Sequence, residues 1–170
     1  MRSFVDNKGR QWTVTINVST IKRVRALCNV DLYSLVEATP EGKADFSLLE
    51  RLSQDPVLLV DVLFVICKQD ADLRGVSDEE FGESMTGDTI EKAAEVFLDE
   101  LVDFFPEVRR KVLNKILIAS RKFEAAAKDR LEKILESKKF EEDLNSNLEK
   151  LISSSGNAPD TSELTPDPLH

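Results

Sequence analysis

Histidine is all but missing from this sequence: the only one, His170, is the last of 170 residues. A Ser–His–Asp or Cys–His nucleophile, or a histidine-based metal centre, therefore has no usable imidazole. Cysteine is scarce as well. Cys28 and Cys67 stand far apart in apolar-patterned segments, and there is no CxxC and no Cys/His cluster. That argues against a zinc site and for two buried free thiols in a reducing compartment. No Gly-rich phosphate loop occurs. No apolar run reaches the roughly 20 residues of a bilayer-spanning helix, and the first residues hold no apolar run of signal-peptide length. The expected location is the cytoplasm. With no catalytic, metal or phosphate constellation, the sequence reads as a non-enzymatic protein that needs no cofactor.

Apolar content is 41% and includes nine Phe, enough for an ordinary globular core. The net charge of −9 argues against the whole chain being a nucleic-acid binder, but the charge is segregated. Residues 107–139 carry eleven Lys/Arg against five Asp/Glu, a net of +6, whereas the remainder carries 12 against 27, a net of −15.

The most apolar stretch is "DPVLLVDVLFVICKQ", with ten apolar residues in the eleven from Val57 to Cys67, broken by Asp61. Asp55 followed by Pro56 is an N-cap with proline at the first helical position, so the stretch is expected to be a buried helix and not a strand. It would be apolar nearly all round, as in the centre of a small bundle. Asp61 is expected at a polar edge, exposed between helices, or paired with Arg51 or Arg74, since a buried unpaired carboxylate costs several kcal/mol.

Before it, Trp12, Val14, Ile16 and Val18 alternate with polar residues at strand period. "DNKG" is a turn in which Gly9 takes positive φ, pairing Phe4 and Val5 with that strand. Ser19 or Thr20 is the expected cap of a helix that buries Ile21, Val24 and Leu27–Cys28. "VDLYSLVEA" reads as a helical turn or two stopped by "TPEG", and "ADFSLLERLSQ" as a helix capped by Asp45 with Phe46, Leu48, Leu49 and Leu52 inward. "SDEEF" reads as a short acidic helix capped by Ser77. Asp88 and Glu91 make a capping-box pattern ahead of Ile90, Ala93, Ala94, Phe97, Leu98, Leu101 and Phe105, ending at Pro106. A long helix follows from Glu107 through Val112, Ile116, Phe123, Ala127, Leu131, Ile134 and Leu135, continuing towards Ile152. The prediction is thus a mainly α protein: a small helical bundle with an N-terminal β-hairpin over residues 1–106, a long basic helix over 107–152, and a disordered tail over 153–170, rich in Pro, Ser and Gly.

"DADLRG" imitates the start of a calcium-binding loop, but Arg74 stands at its fifth position and Phe81 where a bidentate Glu is needed. The carboxylates Asp78, Glu79, Glu80, Asp99, Glu100 and Asp103 sit where helix starts and solvated faces want them. In the basic segment, Glu124, Asp129, Glu132 and Glu136 are interleaved at ion-pair spacing, and Phe123 and Phe140 are the only nearby aromatics for base stacking. A solvated helix is expected there, and its apolar seam, imperfect for strict heptads, also allows a coiled-coil or partner-helix role. Nucleic-acid association through Arg109, Arg110, Lys111, Arg121 and Lys122 is the alternative.

Taken together, "FVDNKGRQWTVTINVSTIKRV", "VDLYSLV", "DPVLLVDVLFVIC" and "GVSDEEFGESMTGDTIEKAAEVFLDELVDFFP" resemble the tail assembly chaperones of long-tailed phages and prophages, over about residues 1–118. The basic helix beyond about residue 118 lies outside that stretch. It implies a small, largely helical, non-enzymatic protein of the bacterial host cytoplasm. Such a protein binds a helical tape-measure protein, keeps it soluble during tail assembly, and self-associates. The groove residues implied are Phe97, Leu101, Phe104, Phe105, Val112 and Ile116, which would equally serve as core.

Overall fold

Alternating burial makes the first element pair. In the computed structural model, which describes residues 1–35, 37–38 and 44–155, β1 (Arg2–Val5) and β2 (Gln11–Val14) form an antiparallel hairpin with Phe4 opposite Trp12. Phe4, Trp12, Val14 and Ile16 face inward and Gly9 takes φ 75° in the turn. Val18 lies past the end of the strand and is exposed, as the first residue of α1 (Val18–Cys28).

The cap of α1 is Asn17, whose side chain accepts from the Thr20 amide, and not Ser19 or Thr20. Starting the helix there turns Ile21 and Val24 inward but leaves Leu27 exposed, contrary to expectation. A 3-10 turn, Leu32–Ser34, is capped by Asp31. Where further helix was expected, Glu37–Ala38 (β3) instead pairs with Ala44–Asp45 (β4); the "TPEG" stop lies outside the described residues. Asp45 accepts from the Ser47 amide at the start of α2 (Ser47–Gln54). Leu52 is buried there and Phe46, expected inward, is exposed because it precedes the first helical turn.

The stretch from Asp55 is a helix, α3 (Pro56–Arg74), capped by Asp55 on the Leu58 amide. It packs against α1, α2, β2, α4 (Asp78–Glu83) and α5 (Asp88–Phe104), which is why its stretch from Val57 to Cys67 is apolar but for Asp61. Val57, Asp61 and, in the last two turns, Gln69, Asp72, Leu73 and Arg74 are exposed. Ser77 caps α4 through the Glu80 amide. The capping box expected at the next helix does not form: Gly87 at φ 55° holds the cap position and Asp88 is already helical. Ala93, Phe97 and Leu101 of α5 line the core.

By contacts the chain divides into two units, Met1–Leu117 and Ile118–His170. The first reaches beyond the break expected after residue 106, since α6 (Glu107–Leu135) buries Leu113 and Leu117. The second holds the rest of α6 and α7 (Lys138–Ser155). The expected single helix is two: the Ser137 amide bonds back to the Ile134 carbonyl, and its hydroxyl accepts from the Phe140 amide, ending one helix and capping the next. Residues 153–155 close α7, and the rest of the tail lies outside the described residues.

Candidate functional site

Three places in the first unit gather polar chemistry, and one is plainly structural. Asp6, buried in the hairpin turn, accepts from the Lys8 amide (2.9 Å), the Arg10 amide (2.8 Å), Arg10 Nε (2.7 Å) and Trp12 Nε1 (2.8 Å). Burial pushes its pKa up, but the bonds from Trp12, Arg10 and Ser84 outweigh burial and hold it down at about 2. Arg10 reaches on to Glu80 of α4 at 2.5 Å. The guanidinium groups of Arg10 (5.4 Å) and Arg74 (5.0 Å) both lie over the Trp12 ring, with Phe81 edge-on at 4.9 Å. Every polar group here answers another, leaving nothing to offer a substrate.

A polar cleft of about 360 Å³ opens where the free edge of β2 meets α1 and α3, lined by Thr13, Thr15, Asn17, Ser19, Thr20, Arg23, Cys67, Gln69 and Asp70 among others. Side chains satisfy that edge: Asp70 accepts from the Thr13 amide at 3.1 Å and the Thr20 hydroxyl donates to the Thr15 carbonyl at 3.1 Å. This blocks a further strand from adding there. Arg23 Nε is buried with no partner among the described residues. Burial, with a smaller push from Asp70, raises the Cys67 thiol to about 12, and burial with nearby Asp61 and Asp78 raises Cys28. Neither thiol is activated as a nucleophile.

The third place is an apolar groove of about 380 Å³ between α3, α4 and the start of α5. Pro56, Val57, Val60, Met85 and Ile90 form its floor and Asp61, Asp78 and Glu79 its rim. Lys and Arg are absent from its lining. Asp61 is exposed here, with no hydrogen bond or ion pair among the described residues; Arg74, a partner considered for it, lies over Trp12 instead. Partial desolvation, then the charges of Asp78 and Asp55, raise the Asp61 pKa.

The groove candidates taken from the sequence are scattered. Phe97, Leu101 and Phe105 are core residues, so the core role left open for them accounts for them. Phe104 and Ile116 are half-buried and Val112 is exposed. The buried row of α6 is Leu113 and Leu117, one position on from the row expected. Of the basic residues, Arg109 stacks on the rings of Phe105 (4.4 Å) and Tyr33 (4.6 Å) and donates to the Tyr33 carbonyl at 2.5 Å. Lys111 pairs with Glu107 at 2.5 Å. Arg110 and Arg121 are half-buried and Lys122 is exposed.

The largest exposed apolar row is in the second unit, along the seam of the basic helix. Phe123, Leu131, Ile134 and Leu135 of α6, and Phe140, Leu144 and Leu148 of α7, are exposed, Phe123 by 76%. Their spacing was legible; that no neighbour covers them was not.

No family model, curated protein or solved structure matches the chain. Among the described residues no group of three or more His, Cys, Asp or Glu is placed to hold a metal, and no helix is long and apolar enough to cross a membrane.

Proposed function

We propose that this protein is a non-enzymatic assembly chaperone of the phage-tail type, which holds a long helical client through the exposed apolar side of α6 and α7. The observation that carries the reading is the row of large apolar side chains left in water along Phe123, Leu131, Ile134, Phe140, Leu144 and Leu148. Large apolar side chains exposed in a row along a helix face mark an interaction site. A helical client lays its own apolar face on such a row, with i, i+3 and i+4 anchors. The flanking residues pair within their own helix, as Lys133 does with Asp129 at 2.6 Å, which keeps the helix soluble without competing for the client.

The test is co-expression with a helical fragment of a tape-measure-type protein. The fragment should become soluble and co-purify with the wild-type chain, and should do neither with Phe123→Asp/Leu144→Asp. A fragment equally soluble with either chain, and no complex, would sink the reading.

A further inference from the structure

We propose that the acidic-rimmed groove between α3 and α4 docks residues 118–135 of a second copy of this chain. This rests on the proposed function only in using the same apolar row of α6, which the groove would shelter while no client is bound.

Three observations point to that occupant. First, the groove floor is apolar and open to water, with Val57 exposed by 70% at its entrance. It is wide enough for a few apolar side chains and too small for a folded domain. Second, its rim is negative throughout. Asp61, Asp78 and Glu79 line it, Asp55 is near enough to act on Asp61, and no cation of the groove lining answers them.

Third, the matching surface is present in the chain itself. On α6 the row Phe123, Ala127, Leu131 and Ile134 follows i, i+4, i+8, i+11 spacing and is flanked by Lys122 and Arg130. Residues 118–135 carry five Lys/Arg against three Asp/Glu, a net of +2, and the remainder of the chain a net of −11. Groove and helix thus complement each other in both polarity and charge. Docking between two copies is self-complementary: each groove takes the other copy's helix, so one contact is made twice about a two-fold axis. Charge complementarity of this kind governs encounter rate and register, and weakens with salt.

The experiment is sedimentation equilibrium of the full chain alone, with no client, so its outcome is separate from that of client binding. Wild type should be a dimer whose dissociation constant rises at least about tenfold between roughly 0.05 and roughly 0.5 M salt. The groove variant Asp61→Lys/Glu79→Lys and the helix variant Lys122→Glu/Arg130→Glu should each associate at least about tenfold more weakly. An equimolar mixture of the two should dimerise again, because each reversed surface then meets its opposite. Val57→Lys repeats the groove test without altering α4, should the double variant fail to fold. A wild-type chain that stays monomeric at low salt overturns the proposal. So does a dimer indifferent to both variants, or a mixture that remains monomeric.

Discussion

Asp6 shows what one buried charge can do when every lone pair is used. Its carboxylate joins strand, turn and Trp12, and through Arg10 joins the hairpin to α4. A two-stranded hairpin is marginal alone, so this cluster together with the apolar face from Phe4 to Ile16 holds it in place. Because the folded pKa lies at about 2, below the ordinary 3.8, the ionised form stabilises the fold above about pH 4. That contribution is lost as pH falls from about 4 to about 2. Asp6→Asn should lower stability at neutral pH by about 2–3 kcal/mol and flatten the acid limb of the stability curve. Urea unfolding from pH 7 to 2, followed by the emission of Trp12, measures both; an unchanged acid limb would refute the assignment. Nothing near Asp6 in the chain marks it for burial. Its four bonds come from Lys8, Arg10 and Trp12 close by in the chain, but the residues of α4 and its end that close over the turn, Glu80 and Ser84, stand more than 70 residues away.

Among the elements, α3 is the one whose ends are written most clearly. Asp55 and Pro56 start it, and Gly75, at φ 66°, ends it. The Val76 amide bonds to the Ala71 carbonyl at 2.9 Å and the Gly75 amide to Asp72 at 3.3 Å, a Schellman closure. A Cβ at Gly75 would meet nothing within 4 Å, so the cost of a side chain there is conformational, not steric. Asp55→Ala and Gly75→Ala should each cost about 1 kcal/mol. The ends lie about 28 Å apart along the helix axis, so the double variant should cost the sum within about 0.5 kcal/mol. Thermal and urea melts of the four chains decide this. The start of α1 shows the limit of such signals. Asn17, Ser19 and Thr20 are all competent caps; Asn17 takes the position because β2 ends at Val14 and the buried faces of Ile21 and Val24 fix the phase of the helix.

For the whole molecule, the division at Leu117 places nearly all of the core in the first unit and much of the exposed apolar surface in the second. A chain ended after Ser120 should keep cooperative unfolding and the buried environment of Trp12, with stability within about 1 kcal/mol of the full chain. It should lose both client binding and self-association. Circular dichroism melts, Trp12 emission and co-purification check the three parts separately.

Hydrophobic period, caps and turn residues are local, and they were enough to read the hairpin, the buried α3 and the Ser77-capped α4 from the order of residues alone. Burial is not local. Whether Phe97, Leu101 and Phe105 serve the core or a groove, whether Leu27 is covered, and whether Asp61 finds a cation all depend on which elements, distant in the chain, meet. A periodic apolar row looks the same in the sequence whether another helix lies on it or water does. Packing resolved that ambiguity: it closed the row of α5, left the row of Phe123 to Ile134 open, and so moved the candidate binding surface to α6 and α7.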